Sequence, residues 1–147
     1  MPSVEEASLV APRMIELMHD AAGIGLAASQ VGLPWRMFVT YVPDADPVDR
    51  VFIDPVLVLD LCGSPPQPYE EGCLSLPDLR LEILRPIGAR ISARDLNGDS
   101  FDMSDNGLLA RVWQHEFDHL EAKLIFDLAQ PADASTVKRW RKVHDSQ

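Results

Sequence analysis

The residues that could do chemistry lie in one short segment, His115-Glu116-Phe117-Asp118-His119. This is an H-E-x-x-H pattern, and residues four apart in an α-helix lie on the same face, so both imidazoles could bind one metal ion. The glutamate between them has the chemistry of a general base. Because so short a pattern also occurs by chance, its meaning depends on which side of the helix is apolar.

The motif lies on the apolar side of its helix. Burying a carboxylate there costs several kcal/mol unless a cation compensates it. A single histidine with its hydrogen bonds satisfied would be an ordinary residue of the core. Two histidines and a glutamate at inward positions instead favour a metal site. One inward stripe contains Leu108, Val112, His115 and His119, and the stripe beside it contains Leu109, Trp113, Glu116 and Leu120. The opposite side carries Arg111, Gln114, Asp118 and Glu121.

A catalytic metal site usually has three protein ligands and leaves a position for water. Downstream of the motif, Asp127 and His144 are unremarkable candidates. Upstream, Cys73 follows a glycine and has Glu70 and Glu71 nearby. A thiolate at Cys73 would be a strong ligand for a transition metal, but most free cysteines are small buried hydrophobes. The local sequence leaves both interpretations open.

The composition is that of one soluble globular domain spanning residues 1–147, with 46% hydrophobic and 24% charged residues. A formal net charge of −10 argues against broad binding of DNA or other nucleic acid. No apolar stretch approaches the roughly 20 residues of a membrane span, and the N-terminal residues do not resemble a signal peptide. We therefore expect a cytoplasmic protein in which Cys62 and Cys73 stay free thiols.

The sequence predicts three helices, one before the strands and two after them. The first is amphipathic and is expected to end at Gly23-Ile24-Gly25, whose glycines permit unusual backbone angles. Its inward positions are Val10, Met14, Leu17, Met18 and Ala21. The second is predicted from about Asp105 to about Ala122, and a last helix begins near Asp133 or Ser135.

The strands lie between these helices. We predict strands at 36–42 and 51–59, with Pro55 marking an edge or a bend in the second. Residues 64–68 form a proline-rich loop and are followed by an alternating stretch through Leu79, Leu81 and Ile83. Asn97-Gly98 predicts a hairpin between 87–95 and 100–103, since both residues tolerate positive φ. Strands in bulk with helices around them favour an α+β fold.

Three separate segments together resemble the signatures of peptide deformylases. They are residues 23–30 (GIGLAASQ), 71–75 (EGCLS) and 114–120 (QHEFDHL). Each match alone could be accidental, but all three occur in this order, and the resemblance extends from about Arg13 to the C-terminal helix. It implies an α+β fold with antiparallel or mixed sheets around a central helix that carries H-E-x-x-H, and a C-terminal helix.

The resemblance also implies roles for the matching residues. Cys73, His115 and His119 would hold one divalent metal, commonly ferrous iron in this family, with water as the fourth ligand and nucleophile. A Cys-His-His set also binds zinc, nickel or cobalt. Glu116 would be the general base and then the acid. The oxyanion would be stabilised by the Gln30 side-chain amide and the backbone N–H of Leu74.

The implied reaction is hydrolysis of the N-terminal formyl group of formyl-methionyl nascent peptides, with release of formate. The extended peptide would contact backbone groups of Ile24, Gly25 and Gly72, and Arg80 would lie near its far end. Leu108 and Val112 could line a pocket for the methionine side chain, although ordinary core packing explains them equally well.

Two features depart from the family pattern. Deformylases usually have a further stretch before the first helix, often with a strand, so we expect a sheet edge that is missing, replaced or supplied by a partner. The family also commonly has glycine two residues after the leucine of the third signature, where this chain has Glu121-Ala122. If that position is left-handed, alanine would strain it by roughly 1 kcal/mol.

A basic run near the C-terminus suggests a partner. It contains Lys138, Arg139, Arg141 and Lys142 in an otherwise acidic chain. A transient ribosome contact would suit an enzyme that meets nascent chains. The plainer interpretation, which we favour, is a solvated helix whose cations complement its C-terminal dipole.

Other functions fit parts of the pattern. A paralogue acting on another N-formyl substrate would keep the site and change the pocket. A metal-binding protein without catalysis would not need Glu116 or Gln30, and a zinc endopeptidase usually draws its third ligand from downstream rather than from a residue such as Cys73. A monomer is the default expectation.

Overall fold

The computed structural model describes residues 3–60, 65–73, 76–121 and 139. Two helices and seven strands make up the first three ranges. In chain order they are α1 (Val4–Asp20), β1 (Gly25–Ala27), a 3-10 turn (Ala28–Val31), β2 (Met37–Val42), β3 (Asp46–Asp60), β4 (Gln67–Cys73), β5 (Leu76–Arg85), β6 (Gly88–Arg94), β7 (Ser100–Asp105) and α2 (Leu108–Leu120).

The strands form two antiparallel sheets. The larger has the order β1-β2-β3-β6-β7, and β4 and β5 pair as a separate two-stranded hairpin. Helix α1 packs on one face of the larger sheet and α2 packs on the other, which confirms the α+β class. None of the helices in the described ranges is both long and apolar enough to cross a membrane.

Strand β2 shows how the sequence divides between the two faces. Met37 and Val39 lie in the core beneath α1, whereas Phe38, between them, lies in the core beneath α2. Both faces of this strand are buried, so its apolar residues form a continuous run instead of alternating with polar ones. On the α1 side the helix contributes Ala7, Ala11, Met14 and Met18.

Helix α2 is anchored on its sheet side by Ala110 and Trp113, both almost fully buried. They pack with buried aromatic and aliphatic side chains from β1, β2, β3 and β6, and Phe38 and Phe52 stack with ring centroids 4.7 Å apart. The helix begins where the Asp105 carboxylate accepts hydrogen bonds from the backbone N–H groups of Gly107 and Ala110, at 2.9 and 3.1 Å. This cap fixes α2 directly after β7.

Pro55 marks a bend and not an edge. Strand β3 pairs with β2 on one side and β6 on the other, and its register with β6 shifts between Ile53 and Val56. Asp54 takes a positive φ of 57° at this irregularity. A bulge accommodates the proline because the ladder is already interrupted there.

The first helix ends differently from the sequence prediction. Ala22 takes the left-handed conformation, with φ of 54°, and the Gly23 N–H donates to the Met18 carbonyl at 2.9 Å. The positive-φ glycines of the described ranges are Gly32 and Gly98, so the prediction that Gly23 and Gly25 supply unusual angles was wrong.

Most other predicted boundaries of helices and strands are close to the observed ones. The predicted 97–98 hairpin is present, but only its glycine has positive φ, because the Asp95 carboxylate holds the loop by accepting from the N–H groups of Asn97 and Asp99. Strand β4 begins at Gln67, inside the segment predicted as loop. Ala122 and the predicted last helix from Asp133 or Ser135 lie outside the described residues, apart from Arg139.

Candidate metal centre

The three functional residues of α2 converge on one point. A ligand atom from each of His115, Glu116 and His119 lies within 4.8 Å of the others. The Nε2 atoms of the two histidines face each other at 3.3 Å. Two nitrogens at about 2.0–2.1 Å from one tetrahedral ion are about 3.3–3.4 Å apart. The donor set and spacing therefore fit a transition-metal ion.

Glu116 is buried against the backbone of β1. Only 4% of the residue is exposed. A Cβ atom added to Gly25 would lie 2.7 Å from Glu116 Oε1 and 2.9 Å from its Cγ and Cδ, closer than real Cβ atoms approach. Gly25 is therefore required here for close approach rather than for its backbone angle, because any side chain would push the carboxylate of Glu116 away.

His115 is oriented by a carboxylate from the hairpin. Its Nδ1 lies 3.0 Å from Glu71 Oε1, so that Nδ1–H donates to an ionised carboxylate and Nε2 carries the lone pair. Burial raises the pKa of Glu71, but hydrogen bonds from His115 and Arg85 and the Arg85 charge outweigh it and lower this pKa from 4.5 to about 2. Glu71 is thus an anion at neutral pH.

Arg85 joins the hairpin to the helix. Its Nε and Nη2 donate to the two carboxylate oxygens of Glu71 at 2.7 and 2.8 Å, and its Nη1 donates to Asp118 Oδ2 at 2.7 Å. Burial lowers the pKa of Arg85, and both carboxylates more than compensate and raise it. Arg85 is 4% exposed, so its guanidinium acts as a fixed charge inside the protein.

Two residues on the polar side of α2 are buried as well. Arg111 and Gln114, which the sequence places opposite the histidines, are only 6% and 4% exposed. Arg111 donates to the carbonyl of Ile83 at 2.8 Å and to that of Gln67 at 3.1 Å, and Gln114 donates to that of Pro86 at 3.0 Å. Hydrogen bonds and ion pairs therefore join the β4–β5 hairpin to α2.

The 3-10 turn after β1 approaches the end of α2. The Ala27 N–H donates to Gln30 Oε1 at 2.8 Å, which fixes the oxygen end of the amide and turns its NH2 donor away from Ala27. Ser29 Oγ donates to the His119 carbonyl at 3.3 Å. Farther along, Arg36 pairs with Glu121, the residue after the last one of α2, at 3.1 Å. The Gln30 segment is thus tied to the helix that carries the histidines.

The residues expected to meet a peptide lie on two strands. Ile24 precedes β1, is 41% exposed, and its carbonyl accepts from the Tyr41 N–H at 3.1 Å. Gly72 lies in β4 opposite Arg80 of β5. Arg80 is exposed and pairs with Glu70 at 3.4 Å. Leu108, at the start of α2, is 45% exposed, which argues against ordinary core packing there, whereas Val112 is buried.

Some predicted residues cannot be placed. Cys73 is the last residue of β4, two positions after Glu71, but its side chain lies outside what the structure describes, and so does Leu74. Cys62 is likewise outside, as are Lys138, Arg141 and Lys142. Arg139 is exposed and helical.

Sequence reasoning misses two residues of the site, Arg85 and Glu71, and only Arg85 has a signal in the local pattern. Arg85 follows Leu81 and Ile83 at every second position of an alternating strand, and all three are buried. A charged residue at one of the alternate positions of a strand that are otherwise apolar and buried requires a buried partner. Glu71, in the second signature, was noted only as a nearby acid. Its contact with His115 spans 44 residues of sequence, which no local pattern reveals.

Comparison with known proteins gives a consistent result. The polypeptide deformylase family model matches residues 3–135. The peptide deformylase of Psychrobacter arcticus is 43% identical over 138 residues, covering 91% of this chain and 74% of that protein. The peptide deformylase of Chromohalobacter salexigens is 39% identical over 132 residues, covering 89% of this chain and 76% of the relative.

Solved structures of peptide deformylases also resemble this chain. The crystal structure of peptide deformylase from Thermotoga maritima has a TM-score of 0.81 at 35% identity, covering 89% of this chain and 86% of that one. Plasmodium falciparum peptide deformylase, in complex with an inhibitor, has a TM-score of 0.87 at 30% identity, covering 100% and 90%. With its three signatures, its fold and the paired histidines of α2, the chain belongs to the polypeptide deformylase family of hydrolases.

Proposed function

We propose that this enzyme removes the N-terminal formyl group from formyl-methionyl peptides in the cytosol, using a divalent metal held by Cys73, His115 and His119. The observation that carries the proposal is the pair of facing Nε2 atoms, 3.3 Å apart, with the buried carboxylate of Glu116 beside them. Family membership selects the reaction among those that such a site could perform.

The donor set supports a transition metal. Two neutral imidazoles cannot both present a lone pair across 3.3 Å unless a proton or a cation lies between them. When bound, a divalent cation would act as a Lewis acid on the formyl group and lower the pKa of water. We propose ferrous iron as the native metal, with zinc, nickel and cobalt as alternatives that the same ligands accept.

Glu116 is the proton carrier in this proposal. Its carboxylate takes a proton from the water that adds to the formyl carbon. It then gives that proton to the amine nitrogen as the C–N bond breaks, so that formate and a free amino terminus are the products. Burial against Gly25 holds the carboxylate in place for both transfers.

The developing oxyanion would be met by two donors. The NH2 group of Gln30 is one, since its oxygen end is already fixed by Ala27. The backbone N–H of Leu74 is the other, by the resemblance alone. Removing one such donor typically costs about 10²–10³-fold in rate.

A peptide would bind as an added strand. Strand β1 is an edge of the larger sheet, and Gly25 and Ile24 lie on or beside it. Backbone groups along an edge recognise an extended chain of any sequence. Gly72 would offer further backbone contacts, Arg80 would lie near the far end of the peptide, and the exposed Leu108 would contact the methionine side chain.

The macromolecular partner is a further prediction. Ribosome contact through Lys138, Arg139, Arg141 and Lys142 would place the enzyme, acting as a monomer, at the nascent chain. Arg139 is exposed, as such a contact requires.

The direct test is formate release from formyl-Met-Ala-Ser by protein purified anaerobically with ferrous iron or nickel. We expect turnover by the wild type and a loss of about 10²–10⁴-fold in Glu116→Gln, whose side chain has nearly the same shape but cannot carry the proton. Glu16→Gln is the matched control, because that carboxylate is exposed on α1 and pairs with the exposed residue Arg13, outside the proposed site.

Two results would contradict the proposal. If metal-loaded, folded wild type released no formate from this peptide, the assigned substrate would be wrong, and other formylated amines would be assayed in its place. If Glu116→Gln kept its metal and most of the wild-type rate, Glu116 would not be the proton carrier.

A further inference from the structure

The contacts of Arg85 connect the two parts of the chain that would supply the metal ligands. Glu71 lies two residues before Cys73 on β4, and Asp118 lies next to His119 on α2. All three nitrogens of the Arg85 guanidinium are used, two on Glu71 and one on Asp118. One buried side chain therefore fixes the strand that ends in Cys73 against the helix that carries both histidines.

The consequence for His115 passes through Glu71. Glu71 Oε1 accepts from both Arg85 Nη2, at 2.8 Å, and His115 Nδ1, at 3.0 Å. With both Glu71 oxygens held by Arg85, the carboxylate cannot rotate, so the ring of His115 and its tautomer are fixed with Nε2 toward His119. Partners of this kind commonly change metal affinity or activity by about 10–100-fold when they are lost.

We propose that Arg85 is a positioning residue that sets the affinity of the centre for its metal, acting through Glu71 on the imidazole of His115. The inference rests on the proposed metal centre and adds to it a residue that touches neither metal nor substrate. Lysine cannot replace Arg85, because an ammonium is a point charge that cannot hold two carboxylate oxygens and a second carboxylate in one plane.

A positioning role and a purely structural role for Arg85 predict different effects of variants on metal affinity. Replacement of Asp118 distinguishes the two roles. The Arg85–Asp118 contact ties the hairpin to α2 without touching His115, whereas the Arg85–Glu71 contact reaches the ligand. If Arg85 only held the hairpin in place, the loss of either carboxylate would have the same effect on the metal. If it positions His115, only the loss of Glu71 or of Arg85 itself weakens metal binding.

The experiment is cobalt binding to the metal-free full chain, measured by competition with a chelator and by the visible spectrum of the bound Co²⁺. We expect Arg85→Lys to raise the Co²⁺ dissociation constant by about 10–100-fold and to change the spectrum. Arg90→Lys, the same change in the exposed ion pair of Arg90 with Asp102, should bind Co²⁺ like the wild type. Glu71→Gln should match Arg85→Lys and serves in its place if that variant does not fold.

The outcomes are distinct. Wild-type affinity and spectrum in folded Arg85→Lys, or in Glu71→Gln, would overturn the inference, and so would an equal loss of affinity in Asp118→Asn. Failure of the wild type itself to bind Co²⁺ would overturn the metal centre of the proposed function instead.

Discussion

On the side of α2 that faces the five-stranded sheet, Ala110 and Trp113 are buried among aromatic and aliphatic side chains. On the side that faces the β4–β5 hairpin, the buried groups include the polar residues Arg111 and Gln114 and the Arg85–Glu71 ion pair beside the apolar Leu81 and Ile83 of the hairpin. Apolar burial is non-directional and supplies most of the free energy of folding, whereas buried ion pairs contribute little net stability but need defined geometry. The comparison suggests that one side holds the helix in place and the other sets the angles of its histidines.

The largest expected effect on stability is on the apolar side. Trp113→Ala should lower the free energy of unfolding by about 3–5 kcal/mol, because it removes the largest of the fully buried side chains in the described part of the chain and leaves a cavity. Urea denaturation followed by circular dichroism measures this. Leu9→Ala is the control, since Leu9 is 81% exposed on α1 and should change little. A loss as small as that of the control would mean that this side does not anchor α2.

A smaller loss is expected on the hairpin side. Arg111→Met keeps most of the buried stem but removes the donors to the carbonyls of Ile83 and Gln67. Leaving buried carbonyls without their donor costs about 1–3 kcal/mol. The same denaturation experiment, with Arg90→Met as an exposed control, checks it. A loss exceeding that of Trp113→Ala would reverse the comparison.

An effect on stability no larger than that of Arg111→Met, together with a large effect on rate, is expected where β1 meets α2. In Gly25→Ala the new methyl group displaces the flexible Glu116 side chain, so the free energy of unfolding should change by no more than about 1–3 kcal/mol. A displacement of the base by about 1 Å should lower kcat by about 100-fold. Co²⁺ affinity should stay at the wild-type value. Unchanged kcat would show that Glu116 does not depend on this contact.

The sequence could predict what depends on local pattern. The periodicity of α1 and α2, the 97–98 hairpin and the inward position of the two histidines all follow from short-range rules, and the structure has them. Pro55 was correctly singled out, although the choice between edge and bend depends on a partner strand, β6, which lies about 35 residues later in the chain.

What the sequence could not predict depends on contacts between distant segments. The sequence predicts a conformational role for Gly25, yet the structure requires glycine there because Glu116 approaches closely, and this approach is set by how α2 lies on the sheet. Glu71, Arg85 and Asp118 are three ordinary surface residue types, and only the docking of the hairpin brings them together. The polar side of α2 was expected from its composition, but its burial was not.

Strand β1 is only three residues long, Gly25–Ala27, although it forms an edge of the five-stranded sheet. Long, flat edges invite copies of a protein to join sheet to sheet and aggregate, and very short edge strands are one way in which proteins avoid this. A three-residue edge offers enough backbone groups for the first residues of a bound chain but too few for a stable pairing of two folded molecules. The shortness of β1 would thus reconcile the peptide-binding edge proposed above with resistance to self-assembly.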